Sequence, residues 1–330
     1  MNRLKYALII SLIMPLICAS VMSMAKESVD QQLSVPSKPS VSVKVQRGTV
    51  ELVSWDKNSI HVKGELDELS QGLLFEVKGN TVVVEDKLPS SYPDSNKQGS
   101  HLTIYLPKQL ELDAKGVSTR YQLSQLNGQI SLALVSGSIH AKQLSGNTKL
   151  TTISGNITTT ELAGKINFES ISGDITDNNS QGEAELRLVS GNLSSKSAFT
   201  QLAIVQVSGD INAIVNQVIK LNVVTISGDA QFNLGVDLNQ AKLETISGDM
   251  ALTFTGMPNI SFMIDGGPGG KIDNQLTDDK PLTQAYSPVK MLQFKTQAGA
   301  GQVSINTISG KISLKNKHTY AMVNGENHLK

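Results

Sequence analysis

"ISGNITTTELAGKINFESISGDITDNNSQGEAELRLVSGNL", residues 153–193, states one phrase three times: Ile or Val, then Ser, Gly, and Asp or Asn. The serines of this phrase fall at Ser136, Ser154, Ser172, Ser190, Ser208, Ser227 and Ser247, with a late echo at Ser309. The first five are 18 residues apart, the next steps are 19 and 20, and the last is 62. Spacing this regular marks a repeat architecture before it marks chemistry.

Glycine halves the unit. Gly recurs at 128, 137, 146, 155, 164, 173, 182, 191 and 209, one every nine residues, with Thr200 at the missing place. Two units make an 18-residue coil, and only alternate units carry the Ser-Gly-Asp/Asn phrase. The segments between glycines are short, rich in Thr and Ile, and without a 3.6-residue period, which excludes helices.

Counted from each Gly, the second position holds Ile130, Ile139, Ile157, Ile166 and Ile175. The seventh holds Val135, Leu144, Ile153, Leu162, Ile171 and Val189. Both columns are predominantly apolar and are expected to point inward. At the fourth position Leu132, Leu150, Phe168, Leu186 and Ile204 alternate with Ala141, Thr159, Asp177, Ser195 and Ala213. Large side chains of one half-coil then face small ones of the other, as a narrow dry core requires.

These columns predict an all-β chain wound as a parallel β-solenoid, β-helix-like, with about 18 residues per coil. The recurring Ser-Gly-Asp is then a corner. Gly reaches turn conformations closed to β-branched neighbours, and Ser, Asp and Asn bond to turn backbone. Calcium-binding β-rolls are the alternative, but their unit carries three glycines and an Asp in every nonapeptide. Weak cation binding at a ladder of Asp210, Asp229 and Asp249 stays open. As bare stacked charges these would repel by about 0.9 kcal/mol per pair in water.

The repeats occupy residues 121–255. Residues 41–120 lack the period but alternate as strands in "VSVKVQRGTVELVSW" and "HLTIYLPKQLELDA", and are expected to supply an N-terminal β segment and cap. Trp55 is expected in the core or cap. Residues 256–330 form a C-terminal β segment with a polar insert at 273–292, after which "GAGQVSINTISGKISLK" resumes the repeat grammar. β-rich caps are thus expected at both ends.

Arg3 and Lys5 precede an uncharged run from Tyr6 to Ala25 that ends in "SMA", the form of a cleaved signal peptide over residues 1–25. A polar linker at residues 26–40 follows. The alternatives are an uncleaved inner-membrane anchor over residues 6–25, weakened by Pro15, and lipidation of Cys18, disfavoured by the preceding Ile17. Cleavage would leave no cysteine, so neither disulfides nor thiol chemistry is expected. Periplasmic or extracellular placement follows from that leader.

The chain carries 29 basic and 29 acidic side chains, so charge gives no reason to expect nucleic acid or an anionic membrane as partner. Membrane contact is expected only through the N-terminal segment, if uncleaved. His61, His101, His140, His318 and His328 are scattered, and neither G-x-S-x-G nor H-E-x-x-H occurs. The glycines of "GGPGG" and "GAGQ" precede no helix, so no nucleotide loop is expected. No catalytic, cofactor-binding or metal-ligating residue is singled out.

"RGTVELVSW", "IYLPKQLELDAKGVSTRYQLSQLNGQISL", the Ser-Gly-Asp coils and "GAGQVSINTISGKISL" together resemble the bacterial putative-adhesin domain family, related to toastrack domains. The resemblance covers about Val41 to Lys315. It implies a β-helix-like domain exposed outside the cytoplasm, often beside membrane-stress signalling systems, with no catalytic residues to carry over. The expected role is therefore non-enzymatic: adhesion, scaffolding or docking, with an envelope protein or a surface glycan as partner. Two alternatives stand beside it, a secreted polysaccharide-active β-helix enzyme and a subunit of an envelope-stress system.

Overall fold

The computed structural model describes residues 27–91, 98–283 and 288–317. The expected leader, residues 1–25, and His318 and His328 lie outside the described residues. Twenty-four strands, from Ser28–Ser34 to Lys311–Asn316, join one hydrogen-bonded sheet, and the described residues form no helix.

Through the middle of the chain each coil lies parallel to the next. Gly128, Gly146, Gly164 and Gly182 are successive partners, as are Ile139, Ile157, Ile175 and Leu193. The large column Leu132, Leu150, Phe168, Leu186 and Ile204 stacks in register and is fully buried. Its small counterpart, Ala141, Thr159, Asp177, Ser195 and Ala213, is buried as well. Each large side chain so removed from water stabilises the coil by about 1.5–3 kcal/mol.

Asp177 is the one carboxylate in that inner column. It stays buried because hydroxyls surround it: Thr159 donates to Oδ1 at 2.5 Å, Ser180 donates to Oδ1 at 2.6 Å, and Ser197 donates to Oδ2. A buried carboxyl group with that many hydrogen-bond partners avoids most of the cost of leaving water.

The register breaks beside this cluster and recovers with the 18-residue step unchanged. Gly182 faces Phe199, not Thr200 as the nine-residue count implies; the register then jumps so that Glu183 faces Gln201. Up to this point the alternate corner is turned by Gln125, Gln143, Glu161 and Asn179 in left-handed conformation. The next coil has one residue fewer at the corner and one more after it, and buried Phe199 fills the space. Later coils turn instead through a loop closed by Val218 N–H to Val215 O at 3.2 Å, and the spacing grows with the loop.

At both ends the order in space departs from the order in sequence. Ser40–Lys44 lies between Thr81–Asp86 and Gln109–Ser124, parallel to both. Arg47–Trp55 lies in the same way between Ser100–Pro107 and Gln109–Ser124. The other end mirrors this: Gly301–Ser309 runs between Gln240–Ser247 and Ile260–Asp265, and Lys311–Asn316 between Met250–Phe254 and Lys271–Asn274. Antiparallel strands then end the ladders, Ser59–Glu65 and Leu73–Lys78 at one end and Lys290–Lys295 at the other.

The expected linker is partly a strand. Ser28–Ser34 pairs antiparallel with Ser59–Glu65 along its whole length and buries Val29. Asp30 accepts a hydrogen bond from His61 at 2.6 Å and pairs with Lys63 at 3.4 Å. The His61 contact, with Lys63 beside it, holds the Asp30 carboxyl below its ordinary pKa. Polar composition hid this strand because only Val29 is fully buried, with Leu33 packed against the core while still partly exposed.

Candidate functional site

The seventh-position column does not behave as its composition predicts. In one half-coil Leu144 and Leu162 are buried as expected. In the other, Val135, Ile153, Ile171, Val189 and Val207 are 38–51% exposed. The reason is parity. After the second Gly the strand runs on through the sixth position, so Ile166, Phe168 and Ser170 all point inward and Ile171 points out. The corner comes only with the Ser and Gly that follow.

Stacked coils turn this into a ladder of nine aliphatic side chains. Ser118, Ser136, Ser154, Ser172, Ser190, Ser208 and Ser227 are partners in turn. Thr225 partners Thr245, and Ser247 partners Ser309. The residues just before those serines are Val117, Val135, Ile153, Ile171, Val189, Val207, Ile226, Ile246 and Ile308, each 38–53% exposed. Eight steps at strand spacing make a strip about 38 Å long. Contiguous apolar surface on this scale marks an interaction site more often than chance exposure.

Beside the strip runs the Asx column, held by a backbone ladder. Asp174 N–H donates to Asn156 Oδ1 at 3.0 Å, and Asn192 N–H to Asp174 Oδ1 at 2.8 Å. Asp210 N–H, Asp229 N–H and Asp249 N–H each donate to the preceding member's Oδ1 at 2.9–3.0 Å. Lys311 N–H closes the series on Asp249 Oδ1 at 2.8 Å. One oxygen of every Asp is thus occupied in joining coil to coil, which is why Asn serves equally well. Among the described residues no group of three or more His, Cys, Asp or Glu is placed to hold a metal ion.

Gly at this corner is required by geometry. Gly173 has φ +139°, and a Cβ there would lie 2.1 Å from the carbonyl oxygen of Gly155 in the coil below. Any side chain would push the two coils apart.

A second surface lies on the face that follows the other glycine. Lys165, Glu183, Gln201, Lys220, Gln240 and Lys242 line a shallow hollow of about 470 Å³. It shares Gln240 and Lys242 with a neighbouring hollow of about 600 Å³ reaching Met263, Gln293 and Lys295. Its carboxylates are engaged: Gln201 donates to Glu183 at 3.0 Å, and Arg187 pairs with Glu185. Amides and amines arranged this way can hydrogen-bond an extended polyhydroxyl chain.

Trp55 sits at the N-terminal end, half-buried, its indole N–H donating to Ser59 O at 2.7 Å. It packs on Tyr105 at 5.4 Å and His61 at 5.8 Å between centroids, with Lys57 over its ring. His101 contacts Gly99 O at 3.0 Å, and His140 lines a separate hollow with Gln122 and Thr158. The structure gathers no two of His61, His101 and His140 with a nucleophile. Asp210 and Asp229 meet at the corner in the turn ladder.

The family model described as Toastrack DUF4097 matches residues 31–255, which takes in the corner ladder's first eight rungs. The chain belongs to this toastrack family. No curated protein matches it. Crystal structures with overall similarity include a putative adhesin from Parabacteroides distasonis ATCC 8503, at 11% identity over 88% of this chain and 97% of that one, with a TM-score of 0.45. A putative adhesin from Bacteroides fragilis NCTC 9343 shows 12% identity over 89% and 98%, with a TM-score of 0.37. The toastrack assignment rests on the family match alone.

Composition and spacing led to the coils but not to the exposed strip. The missed signal was local: two adjacent columns, the seventh and the serine, leave the strand on the same side of a corner. A plain alternation count cannot register that.

Proposed function

We propose that this toastrack protein is a non-enzymatic exported envelope protein. It is a rigid β-solenoid of about 18 residues per coil, closed by β-rich caps, that presents its side for adhesion, scaffolding or partner docking. The observation that carries the reading is the nine-rung strip of exposed Val and Ile at one corner. Leaving such a strip in water is costly, and a partner that covers it recovers that cost. The corner acids serve the fold, which argues against the polysaccharide-active alternative. The amide-rich hollow offers a surface glycan a second place to bind. A role beside an envelope-stress system would use the same strip on a different partner.

The test combines placement and binding. Fractionation of cells expressing the tagged protein is expected to put it in the periplasm or at the cell surface. Purified protein is expected to be retained on envelope fragments, and Ile153→Ser with Ile171→Ser and Ile226→Ser to lose retention at an unchanged melting temperature. A cytoplasmic protein, or release of reducing sugar from a polysaccharide panel, would overturn the proposal.

A further inference from the structure

The strip is complementary to itself when turned end for end. We infer that two copies of this chain pack their corner ladders antiparallel, across a two-fold axis between the Ile171 and Val189 rungs. The inference rests on the docking role proposed above and names the occupant.

Pitch is the first argument. The rungs repeat at strand spacing, about 4.8 Å, and only a partner with the same repeat stays in step along the strip. A helix, with its ~5.4 Å pitch, would drift by about one whole rung over eight. A second copy matches by construction.

Shape is the second. In this register Val117 meets Ile246, Val135 meets Ile226, Ile153 meets Val207, and Ile171 meets Val189. Every contact sets a shorter side chain against a longer one, so two uneven ridges interdigitate as facing sheets do in a dry zipper.

Charge is the third. The flank three residues further on reads Arg120, Ser138, Asn156, Asp174, Asn192, Asp210, Asp229 and Asp249. Antiparallel packing lays this flank along its own copy. Arg120 then faces Asp249, Ser138 faces Asp229, Asn156 faces Asp210, and Asp174 faces Asn192. No acid faces an acid. A slide of one rung either way sets Asp174 against Asp210 or against itself, and one of the two slides also sets Arg120 against Lys311.

Area is the fourth. Eight half-exposed Val and Ile with their flanking serines and Asx residues supply on the order of 800 Å² per copy, the size of a standard stable interface. Balanced total charge adds no net repulsion between copies.

Sedimentation equilibrium of the purified protein at micromolar concentration is expected to give twice the monomer mass. Ile171→Asp, at an exposed position, should keep the β-sheet circular dichroism spectrum of the folded chain and weaken the dimer by about 100-fold or more. Asp249→Arg should weaken it as well, and adding Arg120→Asp to that variant should restore it. Val135→Cys with Ile226→Cys sits five rungs apart within one chain, too far for an internal disulfide, and is expected to give a disulfide-linked dimer on mild oxidation. Val135→Cys with Ile246→Cys, the pair for the slid register, is expected not to.

A monomer at about 100 μM, or a dimer indifferent to Ile171→Asp, would overturn the inference. So would cross-linking confined to the slid pair. A monomer that still loses envelope retention through the strip would sink the dimer alone and leave the docking role standing. Strip variants that change neither mass nor retention would remove both.

Discussion

From Asn127 to Ser208 each residue's partner in space lies 17 or 18 positions on in sequence; at the ends the partners are far apart. Ser40 partners Glu111, 71 positions later, and Ser247 partners Ser309, 62 positions later. The middle coils close short loops at small entropic cost, so one repeat unit needs only its neighbour. The ends close long ones and must offset them with burial of Val43, Val50 and Leu52 at one end and Val303, Ile305 and Leu314 at the other. In return, Ser40–Trp55 and Gly301–Asn316 are each held between two neighbours. Freeing Gly301–Asn316 breaks ladders on both of its edges, which opposes fraying from the chain end.

The largest expected effect breaks this lock. Truncation before Gly301 removes the coil on which Ile260–Asp265 and Lys271–Asn274 lie. Limited proteolysis should then cut within residues 260–295 while the coils before 255 stay protected. Continued protection of 260–295 would mean that the outermost coil stands alone and that the ends are ordinary caps.

Next in size is a break in the middle. Gly173→Val combines a forbidden φ with a backbone collision and should cost about 4 kcal/mol or more in urea unfolding. Ser172→Ala, exposed on the same corner, should stay within about 0.5 kcal/mol. Similar unfolding midpoints for the two variants would refute the tight coil contact at Gly155.

A smaller effect separates charge from hydrogen bonding at that corner. Asp210→Asn, Asp229→Asn and Asp249→Asn together keep every Oδ1 acceptor, as Asn192 already does, and should change stability by less than about 0.5 kcal/mol. The corresponding triple Ala variant leaves three backbone N–H groups without these partners and should lose about 2 kcal/mol. Equal losses would assign the ladder's worth to charge instead of to hydrogen bonding.

The smallest effect belongs to the C-terminal end, where Asp273 pairs with Lys311 at 2.8 Å. Lys311 lowers the Asp273 pKa, and Asp273 raises that of Lys311. A lowered carboxyl contributes stability above its ordinary pKa and loses it as pH falls through the depressed value. A raised amine contributes below its ordinary pKa and loses it as pH rises through the elevated value. Hydrogen-exchange protection at Lys271–Asn274, taken relative to the intrinsic exchange rate at each pH, should therefore fall below about pH 4 and above about pH 10, and Asp273→Asn should flatten both limbs. Unaltered pH dependence in that variant would remove the pair from the account.

Much of the middle was legible because its determinants are local. A column such as Leu150, Phe168 and Leu186 repeats at a constant spacing, and spacing alone predicts which side chains stack. Spacing also puts Asp177 in the inner column, but nothing in it tells that Thr159, Ser180 and Ser197 surround it. The exposed strip is hidden from the spacing for a related reason. Ile171 and Leu162 are alike in composition, and only the path of the chain around each corner sends one outward and the other in.

By itself the sequence determined that this chain is all-β and that its Ser-Gly-Asp/Asn phrase recurs in regular steps along the middle of the chain, because each of these depends on residues within one or two repeats. Only the tertiary structure decided that Ser309 lies on Ser247, that Ser40–Lys44 slips between later strands, and that nine Val and Ile side chains share one edge. Those outcomes depend on which long loops close and on where a strand's alternation meets a corner. The first is settled by the balance of closure entropy against burial across the whole stack, which no window of sequence contains, and the second by where the corner falls, which strand alternation alone does not register.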